Sequence, residues 1–292
     1  MSSPSQTQPA APAEMPDLVS LRAELDRLDD ALHNTLMRRA EVVKQVAALR
    51  VKGPVPLRPG REAAIIRRLL ARHDGGLPAF GIVRIWRELL GATTAQQHPL
   101  VVSVCAAGGD PAYLALAREH FGALTPMRPH RNPAEALADV RAGHATVAVL
   151  PMPAEGEASF DAWWTVLLHH GDPRVHIVAR LPFWAPRPEG TPAVQGLVVS
   201  VAAPDPSGQD RSPLGLELAY AGRARLSAAV AAAGFHAGPV IVRRGVDGSD
   251  ACALVEVEGF VGDDDPRLPT LRGTGCRPTV LGAYAVPVGG DA

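Results

Sequence analysis

Arg39 stands where a leucine is due. Counting in sevens along the chain from Leu18 through Leu25 and Leu32 lands on it, so a guanidinium occupies a position on an apolar helical stripe. A cation drawn out of water calls for an anion. Arg50 follows eleven residues later, within about 20° of the same helical face and roughly 16 Å further along the axis. Two such side chains reaching toward each other would bracket one small anionic ligand. The alternative is a surface arginine whose aliphatic stem covers the end of the stripe, with Arg38 a solvated neighbour. Arg22 lies about 100° around the helix from Arg39 and roughly 25 Å along it. It joins such a site only from a second subunit, and is otherwise an exposed residue near Glu24 and Asp26.

Glu62 falls in the first turn of a second helix, where a carboxylate complements the helix dipole and needs no further reason. Thr93 and Gln97 are four apart on a third helix and share a face with Trp86 and Leu89; they either line a pocket with neutral hydrogen-bonding groups or mark a fraying end. Cys105, Cys252 and Cys276 are widely spaced and include no C-x-x-C pair, which suits small core residues rather than a disulfide framework or a zinc site. The ten histidines include His169 and His170 but no H-E-x-x-H spacing, so no metal is expected.

The elements that must hold these residues fall in two groups, divided near position 98. Residues 17–97 are rich in Leu, Arg, Ala and Glu with helical periodicity, and Gly, Pro and Val dominate beyond. The spacing predicts a first helix over 17–52, capped by Asp17 and stopped at Gly53-Pro54. At roughly 54 Å it would be about twice the diameter of a small domain, which points to a dimer that buries its stripe. A second helix runs from Pro59 to Gly75-Gly76, and a third from Pro78 to Gln97. Beyond come a strand at 100–105, a glycine turn at 108–109, helices at 111–121 and 133–142, and a strand at 146–150, the alternation of an open sheet with crossover helices. A Pro-rich stretch at 182–192 reads as a linker. Strands at 196–202, 239–244, 251–257 and 279–286, with helices at 222–233 and 266–272, give the order βαββαβ of a ferredoxin-like module.

Composition narrows the function. Lys plus Arg total 29 against 30 Asp plus Glu, so net charge offers no attraction for nucleic acid or an anionic membrane, and an anion site must be local. No run reaches the roughly 18 apolar residues of a membrane span. Residues 1–16 lack the basic start and apolar stretch of a secretory signal and read as a disordered tail, so a cytoplasmic location is expected.

Taken together, these positions resemble the all-helical chorismate mutase family, an intertwined dimer whose long first helix spans both halves. The resemblance runs through L-R-A-E-L-D-R-L-D at 21–29, R-R-A-E-V-V at 38–43, R-P-G-R-E-A-A-I at 58–65 and W-R-E-L-L-G-A-T at 86–93. It implies that Arg39 and Arg50 hold substrate carboxylate and ether oxygen, with Arg22 reaching in from the partner chain. It also implies that Arg61 sits at the pocket edge, that Glu62 binds the ring hydroxyl, and that Thr93 and Gln97 lie near carboxylate and ether oxygen. The family usually has Lys where this chain has Arg50, and an acidic residue just before the Arg-Glu pair has no counterpart in Pro59-Gly60. The implied reaction, chorismate to prephenate in aromatic amino-acid synthesis, needs no nucleophile, metal or redox group, only a held conformer and stabilised negative charge.

The remainder resembles a prephenate dehydratase with its regulatory ACT module. Gly108-Gly109-Asp110-Pro111-Ala112-Tyr113 stands at that family's glycine-rich turn, and residues 150–156 at its Pro-Ile-Glu-Asn-Ser type loop, without the polar residues. The Thr-Arg-Phe motif is missing, and 99–185 is short for a two-lobed domain. The expected layout is a tail at 1–16, a helical mutase domain at 17–98, a dehydratase-like α/β region at 99–185, a linker at 186–195 and an ACT-like module at 196–288. The C-terminal region is expected to be non-catalytic. A bifunctional mutase and dehydratase is the first alternative, and a non-catalytic chorismate-binding regulator the second. Isochorismate pyruvate-lyase chemistry shares a similarly cationic pocket.

Overall fold

The computed structural model describes residues 17–49, 55–106, 109–218, 222–244 and 251–289. The tail at 1–16, Arg50 and Gly108 lie outside the described residues. The chain divides into two compact units, Met1–Val51 and Lys52–Ala292.

The first unit is one helix, α1 (Leu18–Ala48). Asp17 caps it as expected, its carboxylate accepting from the Ser20 amide at 2.6 Å. It runs to Ala48, and the expected stop at Gly53-Pro54 lies outside the described residues. At about 46 Å it keeps the length that the leucine spacing demands. None of its residues is buried, and Leu18, Leu21, Leu25, Leu28 and Leu32 are 47–61% exposed.

The second unit opens with α2 (Pro59–Ala71) and α3 (Ala79–Ala95). These two do not close a core alone: Ala63 and Ile66 of α2 pack with Val83 and Leu90 of α3 around Phe183 and Ala285. The Pro-rich stretch at 182–192 is therefore no free tether, since Phe183 is buried in this core. Strands β1 (Val102–Cys105), β2 (Met127–His130) and β3 (Val147–Pro151) run parallel, with α4 (Ala112–Phe121) and α5 (Pro133–Arg141) as the crossovers. After a 3-10 turn at Trp163–Leu168 come β4 (His176–Leu181) and β5 (Gly196–Ser200), which complete a five-stranded sheet ordered β2-β1-β3-β5-β4.

The strand at 196–200, expected to open the C-terminal module, thus belongs to the first sheet, pairing antiparallel with both β3 and β4. All five of its residues are buried, as in a strand covered on both faces. The second sheet starts instead with β6 (Asp210–Leu218), and continues through α6 (Arg223–Ala232), β7 (Ala237–Arg244), β8 (Ala251–Glu258), α7 (Leu268–Arg272), β9 (Cys276–Val280) and β10 (Tyr284–Ala285). β8 lies between β6 and β7, while β9 and β10 share the other side of β6. Leu214, Leu216, Ala253 and Val255 form its core with Leu226 and Val230 of α6 and Leu271 of α7. Among the described residues no helix is long and apolar enough to cross a membrane.

Candidate active site on the mutase-like helices

On α1, Arg22 is exposed and Arg39 half-buried. The other residues singled out lie in the second unit, where geometry can be read closely. Pro59 and Gly60 start α2 as the sequence signals, but the cap comes from far away. Asp205 accepts from the Gly60 amide and from the Arg61 amide, each at 3.0 Å, and so satisfies two orphan donors of the first turn. A Cβ at Gly60 would lie 2.1 Å from the Asp205 carbonyl oxygen, so only glycine admits this approach. Arg67, two turns along, donates to the Ser207 hydroxyl at 2.9 Å and to the Gln209 carbonyl at 3.0 Å.

Arg61 is exposed, and Glu62 beside it is half-buried with an ionic partner that the sequence reading missed. Arg87 of α3, 4% exposed, donates from Nη1 to Glu62 Oε2 at 3.1 Å. Burial lowers the Arg87 pKa to about 10 against the pull of Glu62 and Glu119, so it is a cation at neutral pH. Its guanidinium also lies over the Phe183 ring, 4.9 Å from the centroid, and 3.4 Å from His120 Nε2. Burial, with Arg87 adjacent, holds His120 well below the usual histidine range. The neutral ring accepts from Arg87 through Nε2 and carries its proton on Nδ1. A signal for Arg87 was present: Val83, Arg87 and Leu90 are spaced i, i+4, i+7 on a buried stripe, the same anomaly that marks Arg39.

Thr93 and Gln97 are brought together at the end of α3. Thr93 is buried, and its hydroxyl is 2.8 Å from the Leu89 carbonyl and 3.2 Å from that of Leu90. Gln97 Nε2 donates to the Thr93 carbonyl at 2.9 Å. α3 in turn is fixed to α4, for a Cβ on Gly91 would lie 2.2 Å from the Phe121 carbonyl oxygen, and Glu88 accepts from the Ala123 amide at 3.0 Å.

A second cluster, Ser103, His130 and Asp139, contains the residue types of a nucleophilic relay without its geometry. Ser103 donates to Asp139 Oδ2 at 2.8 Å, the same oxygen that His130 Nε2 meets at 2.8 Å. Ser103 is wholly buried, so its hydroxyl faces no substrate.

Residues 21–98 match the family model of type II chorismate mutase. This stretch is similar to a type II chorismate mutase domain. The matched stretch takes in α1 from Leu21 onward together with α2 and α3, and carries all seven positions singled out from the sequence. Over 164 residues, 54% of this chain, the protein is 27% identical to the bifunctional chorismate mutase/prephenate dehydratase of Pseudomonas aeruginosa. A protein of that description from Neisseria gonorrhoeae is 30% identical over 105 residues, 36% of this chain. The aligned stretch is 45% of the first relative's length and 28% of the second's. Among solved structures, prephenate dehydratase from Streptococcus mutans aligns with a TM-score of 0.46 at 15% identity, covering 63% of this chain and 97% of its own. GqqA, titled a novel type of quorum quenching acylase, aligns with a TM-score of 0.47 at 17% identity, covering 63% of this chain and 94% of its own.

Proposed function

We propose that this protein is a chorismate mutase, converting chorismate to prephenate in aromatic amino-acid synthesis, in the cytoplasm. The observation that carries the reading is the match of residues 21–98 to the type II family, within which Glu62 is set at the head of α2 by a buried arginine. The reaction breaks one C–O ether bond and forms one C–C bond within a single molecule, with no proton transferred and no group lost. What a protein can add is a compact reacting conformer and charge against the oxygen that departs.

Arg39 and Arg50 would hold a carboxylate and the ether oxygen, guanidinium forks giving both geometry and charge-assisted bonds. Gln97 would donate a further hydrogen bond to the ether oxygen, Thr93 would lie near a carboxylate, Glu62 would accept from the ring hydroxyl, and Arg61 would stand at the pocket edge. Arg22 would arrive from the partner subunit of a homodimer, a reading supported by the exposed leucine stripe of α1. No cofactor takes part. The α/β region serves as a non-catalytic support, in keeping with its hold on α2 through Asp205 and Arg67.

The test is the loss of chorismate absorbance with purified full-length protein, prephenate being identified as the product. Turnover that Arg39→Ala abolishes supports the reading. Wild-type protein that binds chorismate without turning it over would instead make it a sensor, and phenylpyruvate formed from added prephenate would make it bifunctional.

A further inference from the structure

A cavity of about 230 Å3 opens between α3, α4 and the segment 182–191. It is smaller than the roughly 300–1,000 Å3 of sites for drug-sized molecules, so its occupant is one ring with a short chain. Phe80, Val83, Leu116, Phe183 and Trp184 supply apolar and aromatic lining. The charges around it are unequal. Arg84, Arg87 and Arg187 face Glu119 and Glu189, and His120 is held neutral by burial, which leaves the lining one positive charge in excess. Two of the arginines are committed: Arg187 to Glu119 through two N–H donors, and Arg87 to Glu62. Arg84, exposed on the third helix, has no hydrogen bond or ion pair among the described residues.

We infer that this cavity binds a small aromatic carboxylate, its ring among Phe80, Phe183 and Trp184 and its carboxylate on Arg84. Ring burial against aromatic edges and faces supplies most of the binding, and a charge-assisted pair at the mouth orients the ligand. The cavity is held open by its own ion pairs: the Arg187–Glu119 pair joins the segment 182–191 to α4, and Arg87 bears on the Phe183 ring. The inference stands apart from the mutase reading, because it uses none of the residues assigned to chorismate.

The experiment is isothermal titration of the full-length protein with 3-phenylpropionate and with its neutral analogue 3-phenylpropanol. Saturable one-site binding of the acid is expected. Arg84→Gln, a change at an exposed side chain, should weaken the acid about tenfold, near the lower end of what a charge-assisted hydrogen bond contributes, and leave the alcohol unchanged. Phe80→Ala should weaken both compounds alike. Absence of saturable binding by the wild type at millimolar acid overturns the inference, and so does acid binding indifferent to both substitutions.

Discussion

Arg87 Nη1 reaches Glu62 Oε2 at 3.1 Å, joining the first turn of α2 to the middle of α3 by an ion pair whose side chains are 5% and 17% exposed. Removing one member of such a pair strands the other charge out of water, a loss of about 3–5 kcal/mol in comparable cases. Arg87→Met should therefore lower the urea midpoint markedly. A double variant with Glu62→Gln should recover part of the loss, since the carboxylate that faced Arg87 is then neutral. If the single and double variants unfold at the same denaturant concentration, the pair contributes nothing beyond packing.

The contact between Gly60 and Asp205 makes a second expectation. Asp205→Ala removes a cap that serves two amides of α2, and should cost about 1 kcal/mol. Gly60→Ala places a methyl group 2.1 Å from a backbone oxygen and should cost about 1–3 kcal/mol through overpacking. Both losses would appear in thermal or urea unfolding. In hydrogen exchange, Asp205→Ala should speed exchange of the first-turn amides of α2 more than those of α3.

Much of this arrangement could be read from residues alone, and what could not has physical reasons. The caps of α1 and α2 differ instructively: Asp17 lies three residues from the amide it serves, while Asp205 lies 145 residues from Gly60, and no local pattern announces a distant cap. β2 was missed because Met-Arg-Pro-His has no apolar alternation, as befits an edge strand beside β1. β6 was missed because Pro213 and Gly215 interrupt its pattern. β5 was found but placed in the wrong sheet, since an unbroken apolar run states that both faces are covered and not by what. A cation on an apolar stripe singled out Arg39, and the same rule applied to α3 would have singled out Arg87.

Histidine burial sets a pH dependence. Burial is the largest cause holding His176 at about 4, and burial also keeps His120 well below 6.5. Between those values the unfolded chain binds protons that the folded chain does not, so stability rises with pH. The contribution is complete above pH 6.5 and is lost as pH falls toward 4. Unfolding midpoints should thus be lower at pH 5 than at pH 7. His176→Gln should narrow the difference by removing one of the two titrations; an unchanged pH dependence would show that His176 titrates normally in the folded protein.

The leucines of α1 give the sharpest test of assembly. Leu21, Leu25, Leu28 and Leu32 lie along one helical face and are 47–59% exposed, an apolar strip longer than a lone chain in water tolerates. If two chains bury it against each other, Leu28→Glu places a carboxylate at the centre of the interface, where it finds neither water nor a partner. Sedimentation velocity should then show dimer for the wild type and monomer for the variant at the same concentration. Because Arg22 would reach the site only from the second chain, Leu28→Glu should lose chorismate turnover together with assembly. Mixing Arg22→Ala with Arg39→Ala should restore a fraction of it, since a mixed dimer holds one site with both arginines intact. Turnover that survives in the monomer would show that Arg22 has no role across the interface.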